Sequence, residues 1–428
     1  MKRGVVITGI GAVTPLGSNI KECWENILNK KTGIRETPSN NTPRPFRYRG
    51  IVESFHIPQD IPRKISSQMK FLNRASYLGF SAALEAVETS GIDLQEVEIG
   101  RRSLYIGSGD FTMVGYEFMH DAIDDALDKS TGSIDQARLN RASLTKVNPF
   151  FLLESLANNA FSFLSSYFQL MGPGTSLASL SPSGSVALEL AVRSIRQDYS
   201  DMALVVGSGN WITDIPMYEL EGLGVLSRCK NGVSSYRPLD RERDGFIPGE
   251  GAGAIVLEAE ERAKNRGAHI FGRILGTGNS IEFQPGGGFS VSPTVTKRAM
   301  EEAISEANIT PDDISFISTH GSGTRKGDEA ELGSISDLLG KETSVIPVSA
   351  FKGYTGHLGA ASDIAEVIFS LLSLKDNLAP ATLNFHRADH EFAHMDISGE
   401  HRSIEAKRFL SVSYGIGGEA SAVVVEKL

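Results

Sequence analysis

Cysteine is nearly missing from this chain. Cys23 and Cys229 are the only two, far apart and in unlike surroundings, so neither a disulfide framework nor a zinc site is suggested and a reducing, cytoplasmic compartment is expected. No apolar run approaches the roughly 20 residues of a membrane span. Met1-Lys2-Arg3 ahead of Val5-Val6-Ile7 imitates a signal peptide, but glycine and Pro15 interrupt the run, which reads better as a buried first strand. A basic excess is also lacking. With 42 Lys and Arg against 52 Asp and Glu, the net charge is −10, which argues against nucleic acid as the main partner. What is present is 40% hydrophobic and 22% charged residues in 428, the make-up of a soluble globular chain with a large core.

The stretch that organises the chain is Ala178-Ser179-Leu180-Ser181-Pro182-Ser183-Gly184-Ser185. It lies between an extended run, Gly174 to Leu180, and a helical one, Val186 to Gln197. A strand, a sharp turn and a helix would lift Ser181 out of the sheet to a helix N-terminus, where free N–H groups and the dipole favour negative charge. A cysteine there would be activated, its pKa lowered from ~8.5 towards 7. A serine hydroxyl starts too far from neutrality for that, and needs a neighbouring general base to attack anything.

Taken in order, Gly4 to Gly9 reads as a doubly covered strand, and Gly9-Ile10-Gly11 as a packed turn. A dinucleotide fingerprint is not met: the third glycine is missing and Pro15 breaks the expected helix. Asn73 to Ser90 has helical spacing, Leu104 to Gly109 is a strand, and residues 110 to 150 form a polar insertion. The apolar segment from Pro149 to Leu170 is expected near Ser181. Strands follow at Met202–Gly207 and Ile255–Glu258. After a helix from Ala259 to Arg266 a similar succession restarts: strand Ile270–Leu275, helix Val295–Ala307, strand Ile314–Ser318, helix Asp328–Leu339. Such alternation predicts an α/β architecture in two halves of like plan, 1–258 and 259–428.

The second half carries two histidines that follow strands and stand among glycines, in Thr319-His320-Gly321-Ser322-Gly323-Thr324 and Lys352-Gly353-Tyr354-Thr355-Gly356-His357-Leu358-Gly359. The latter precedes an apolar helix, Ile364 to Leu374. Strand-end loops are where α/β sheets place ligands. A buried Lys352 would require a carboxylate such as Glu331 or Glu366. His386, His390 and His394 have helical spacing but loop-like surroundings, and are not read as a metal site.

These residues resemble the β-ketoacyl-acyl-carrier-protein synthases of the elongating type over essentially the whole chain. The matching stretches are VVITGIGAVTPLG, NPFFLLESLANNAFSFLSSYFQLMGPG, RPLDRERDGFIPGEGAGAIVLE, THGSGTRKGDEAE, KGYTGHLGAASDIAE and SVSYGIGGEASAVVVE. The resemblance implies a thiolase-like fold in layers α-β-α-β-α with two pseudo-duplicated halves. It places Ser181 where the family has its acyl-accepting cysteine, His320 and His357 at the two catalytic histidines, and Lys352 at the active-site lysine. Ser322 and Thr324 match hydroxyls that hold the pantetheine arm. Ile416 stands where a gating phenylalanine is usual, its N–H completing an oxyanion hole with that of Ser181. It further implies an acyl carrier protein as partner, which an acidic chain meets through a local basic patch. No cofactor beyond the carrier's phosphopantetheine is implied. A homodimer is, with residues 148–153 close to the partner's site.

Two departures bear on activity. The nucleophile position is a serine, and the family's asparagine near the C-terminal turn is replaced by Glu419-Ala420 after Gly417-Gly418. Acyl transfer to an unaided alcohol should fail, whereas loss of CO₂ from malonyl carrier protein needs only donors where negative charge develops. The chain therefore resembles the decarboxylases of polyketide β-branching cassettes, which make acetyl carrier protein for an HMG-CoA-synthase-like partner. Two alternatives stay open here: a chain-length-factor-like partner subunit, and a serine-using synthase or acyltransferase with His320 or His357 as base.

Overall fold

The computed structural model describes residues 3–37, 44–108, 117–147, 149–151, 156, 158–282, 291–340 and 345–428. Ten strands form one sheet: β1 Val5–Val13, β2 Arg102–Gly107, β3 Gly174–Leu177, β4 Met202–Asn210, β5 Glu250–Ala259, β6 Gly272–Ile281, β7 Phe316–Thr319, β8 Val348–Ala350, β9 Arg408–Tyr414 and β10 Glu419–Glu426. Their order is β8-β7-β9-β10-β6-β1-β5-β4-β2-β3. The sheet reads as two five-stranded units of one plan joined back to back. In each, three parallel strands (β3-β2-β4 and β8-β7-β9) are extended by two antiparallel ones (β5-β1 and β10-β6). The join is antiparallel pairing of β1 with β6, Val5 opposite Ile274 and Ile7 opposite Gly272.

Strands covered on both faces read as nearly continuous apolar runs, and period-2 alternation sends successive side chains into different layers. On β4, Met202, Leu204 and Val206 meet the outer helices α1 (Arg74–Ser90) and α2 (Asn158–Phe168). Ala203 and Val205 face the opposite way, into a central core with helices α3 (Ser183–Arg196) and α6 (Ser362–Asp376). On the other unit Leu410, Val412 and Val424 meet α4 (Lys297–Ala307) and α5 (Arg325–Leu339), while Phe409, Val423 and Val425 return to the central core. The result is the expected α-β-α-β-α layering, with α3 and α6 sandwiched between the two units.

The glycine pair that imitates a nucleotide-binding turn lies inside β1 and serves packing. A Cβ on Gly9 would strike the carbonyl of Ala86, and one on Gly11 that of Ala82, so α1 lies directly on the strand. The second unit repeats the device: Gly276 lies under Ala303 and Gly278 under Ala299 of α4. Of the apolar segment from Pro149 to Leu170, α2 packs outside the first unit with Phe80 and Leu78 rather than beside Ser181. Residues 148, 152–155 and 157 lie outside the described ones, as does Gly109. Among the described residues, the polar insertion contains two helices, Glu117–Ala126 and Gln136–Lys146. β8 begins at Val348, where its parallel pairing with β7 starts, and Val345 ahead of it is 62% exposed.

Gly11→Val should therefore cost on the order of 3 kcal/mol in urea unfolding, because the rigid backbone of α1 cannot yield. Gly100→Ala, where nothing lies near the added methyl, should stay within about 0.5 kcal/mol of the parent.

Candidate active site

The turns that follow β3, β4, β7, β8 and β9 converge at one end of the sheet around a cavity of about 470 Å³. Ser181, His320, His357, Ser322, Thr324 and Ile416 all line it, together with Trp211, Phe246, Tyr414, Arg325 and Lys326. Residues separated by more than two hundred positions in sequence are thus brought to one place. Lys352 is fully buried and does not line the cavity; it lies behind His320.

The elbow is tighter than the sequence suggested. β3 ends at Leu177, and Leu180 adopts φ +53°, a left-handed conformation that a leucine adopts only under constraint. Ser183 supplies that constraint: its hydroxyl donates to the Leu180 carbonyl at 2.6 Å and accepts from the Ser179 N–H at 2.7 Å. Helix α3 begins at Ser183, two residues past Ser181. Among the described residues nothing accepts from the backbone N–H of Ser181 or of Ile416, and no group bonds to the Ser181 hydroxyl.

His320 is held from both sides. The Glu331 carboxylate, from α5, accepts from the N–H groups of His320 at 2.6 Å and Gly321 at 2.9 Å, and Gly321 turns the chain at φ +53°. Lys352 Nζ uses all three of its protons: on the His320 carbonyl at 2.7 Å, on His320 Nδ1 at 3.3 Å and on Glu366 at 2.7 Å. Of the two carboxylates offered by the sequence as partners for Lys352, Glu366 makes the pair and Glu331 orients the histidine backbone. Burial pushes Glu366 up to about 7 and Glu331 up to about 8, with Lys352 pulling both back. His357 receives a hydrogen bond at Nδ1 from the Gly359 N–H, 3.2 Å away. Its ring stacks on Trp211 with centroids 4.5 Å apart and lies 4.8 Å from Phe246.

Two consequences follow for the imidazoles. Burial, and then the Lys352 charge, hold both well below the ordinary histidine pKa, so both are neutral. An ammonium and a backbone amide can only donate, so each Nδ1 is the acceptor and each ring carries its proton on Nε2. The rings stand 5.1 Å apart, edge to face. The site thus holds two neutral N–H donors and no imidazole lone pair free to serve Ser181.

Ser322 Oγ donates to Asp328 at 3.0 Å, accepts from Tyr414 at 3.0 Å and lies 2.8 Å from Thr324 Oγ1. Asp328 is in turn 3.5 Å from the buried Arg243 guanidinium. Trp211, Phe246 and Tyr414 were not singled out from sequence. Only their places after or between strand ends could have marked them. His386, His390 and His394 lie apart from the cavity, and the His394 ring is 3.5 Å from the Ser336 hydroxyl.

Neither His320 nor His357 should titrate between pH 8 and 5 in histidine-detected NMR, whereas exposed histidines move near 6.5. Because the unfolded chain takes up these protons and the folded one does not, their contribution to stability is present above pH 6.5 and is lost as pH falls below it. A midpoint near 6.5 for either ring would contradict the assignment.

Comparison with known proteins accords with this geometry. Residues 2–263 match the model of the β-ketoacyl synthase N-terminal domain and residues 272–386 that of the C-terminal domain. The chain is 29% identical over 429 residues to 3-oxoacyl-(acyl-carrier-protein) synthase 2 of Staphylococcus aureus strain COL, covering 99% of this chain and 98% of that one. It is also 29% identical over 431 residues to the Vibrio cholerae synthase of the same name, covering both in full. Among solved structures it superposes on a β-ketoacyl synthase from Burkholderia phymatum with TM-score 0.85 at 27% identity, covering 100% of each chain. The ketosynthase in a type II PKS acyl-carrier-protein complex shares the fold, with TM-score 0.86 at 23% identity and full coverage of both chains. With both family domains matched in order across most of its length, the chain belongs to the β-ketoacyl synthase family.

Proposed function

We propose that this protein decarboxylates malonyl acyl carrier protein to acetyl acyl carrier protein. The observation that carries the reading is that Lys352 Nζ lies 3.3 Å from His320 Nδ1 and the Gly359 N–H 3.2 Å from His357 Nδ1, both rings lining the cavity; with each Nδ1 engaged by a donor, Nε2–H is the group each ring has left to offer. Decarboxylation breaks the bond between the malonyl carboxylate and the α-carbon. The electron pair left behind becomes an enolate whose charge gathers on the thioester oxygen, and CO₂ departs. His320 and His357 donate to that oxygen, and the low polarity around Trp211 and Phe246 strengthens the bonds. Protonation of the α-carbon from water then gives the acetyl thioester. No residue has to be acylated.

The same protons weigh against a serine acyltransferase, since a base must have a lone pair within reach of the hydroxyl it activates. They also weigh against a silent partner subunit, which has no use for two oriented donors. The pantetheine arm would enter past Thr324 and Ser322, with Arg325 and Lys326 at the cavity supplying positive charge that suits an acidic carrier. We further propose a homodimer, the commonest closed assembly, with an HMG-CoA-synthase-like enzyme consuming the product.

Incubating malonyl carrier protein with the purified chain should yield acetyl carrier protein by intact-protein mass spectrometry. His320→Ala or His357→Ala should slow it by roughly 10²- to 10³-fold, the usual effect of one oxyanion donor, while Ser181→Ala should keep most of the rate. Persistence of malonyl carrier protein, or loss of turnover in Ser181→Ala with an acyl ester trapped on Ser181, would overturn the reading. Light scattering at the 46.1 kDa monomer mass would rule out the homodimer.

A further inference from the structure

The helix that follows Ser181 does not offer its N-terminus to residue 181 alone. Asp363, in the first turn of α6, reaches across the central layer and accepts from the Ser185 N–H of α3 at 2.5 Å through Oδ2. Its Oδ1 accepts from its own helix at Ile364 N, 2.8 Å away, and lies against the Cα of Gly184, where a side chain could not be accommodated. One carboxyl, 1% exposed, thus stands where the N-termini of α3 and α6 meet. That is a position of positive potential from both helices. The charged groups coupled to it are Lys352, already paired to Glu366, and Glu366 itself. On the other side of the elbow Glu419, half-buried, faces the Ser179 hydroxyl. His320 and His357 add no charge.

We propose that Asp363 makes position 181 non-nucleophilic by placing an anion on the first turn of α3, so that the field which would stabilise an anion at residue 181 is already occupied. A helix N-terminus aids a thiolate only while its N–H groups and dipole are unshared. Here the third N–H of α3 is bound and a carboxylate lies one turn from the elbow. Burial pushes Asp363 up to about 7 against the pull of Ser185, Ile364 and Lys352. It therefore loses its proton before a thiol would, and any thiolate forming at 181 meets an existing negative charge. The cavity keeps its donors for a developing enolate while the elbow cannot readily generate a nucleophile, whatever residue stands there. The inference rests on the contacts of α3 and α6 and holds independently of which carrier-bound acid is the substrate.

The test uses the full-length chain carrying S181C, labelled with iodoacetamide between pH 5.5 and 9.5 and read by peptide mass spectrometry. Cys23 and Cys229 are buried, with burial pushing Cys23 up to about 12, and the parent protein gives the blank. With Asp363 intact, the labelling midpoint should lie at or above the ordinary thiol value of ~8.5. In S181C/D363N, where the Asn side-chain oxygen still accepts from Ser185, the midpoint should fall by at least about one unit, and labelling at pH 7 should rise about tenfold. S181C/D363A should behave alike and covers the case in which one double variant does not fold. A midpoint at or below 7 in S181C itself overturns the proposal, as does a midpoint that neither neutral variant moves.

Discussion

Lys352 ties together three elements that chain connectivity leaves apart. Its ammonium is buried with no access to water, so every proton must find a partner, and the three it finds belong to the His320 carbonyl, the His320 ring and Glu366 of α6. Each bond has a separate effect. The carbonyl bond anchors the β7 loop to the turn that begins at Lys352. The ring bond decides which nitrogen of His320 is protonated. The Glu366 bond compensates the charge and locks that turn to the central helix. The ammonium also helps to keep both histidines neutral. A site built from neutral donors rather than bases follows from this one cation.

The wider frame is the repeated five-stranded unit. Because β1 pairs with β6 and each unit sends one helix into the middle layer, α3 and α6 are packed against each other and start at the same end. That convergence makes the cavity possible, since it aligns the ends of β3, β7 and β8. It also brings two positive helix ends together, a potential that Asp363 relieves with a single carboxyl. The glycines of β1 and β6 have a comparable structural part: by letting α1 and α4 lie directly on their strands, they set the thickness of the outer layers.

Much of the fold was legible in the residues themselves. The buried strands are largely apolar and rich in β-branched residues, the helices show their period, and the elbow and both histidine loops are bounded by glycines. Boundaries drifted where local pattern and tertiary pairing disagree. α5 begins at Arg325 rather than Asp328 because the backbone of the polar first turn is helical even though no apolar residue marks it. α2 is apolar enough to suit either face of the sheet, and only packing assigns it to the outer one.

The candidate site divides in the same way. Residue chemistry and strand-turn context, which are local properties, were enough to pick out Ser181, His320 and His357, whereas Ser322, Thr324 and Ile416 were named only through the family resemblance. The sequence also showed that the nucleophile position holds an alcohol. Which nitrogen of each histidine bears the proton, that Glu366 and not Glu331 pairs with Lys352, and that Asp363 sits on the first turn of α3 were decided by the tertiary structure. The physical reason is common to all three. A hydrogen bond or a charge in a buried site is set by the nearest partner in space, and here those partners lie from 2 residues away, for Gly359 and His357, to about 180 residues away along the chain.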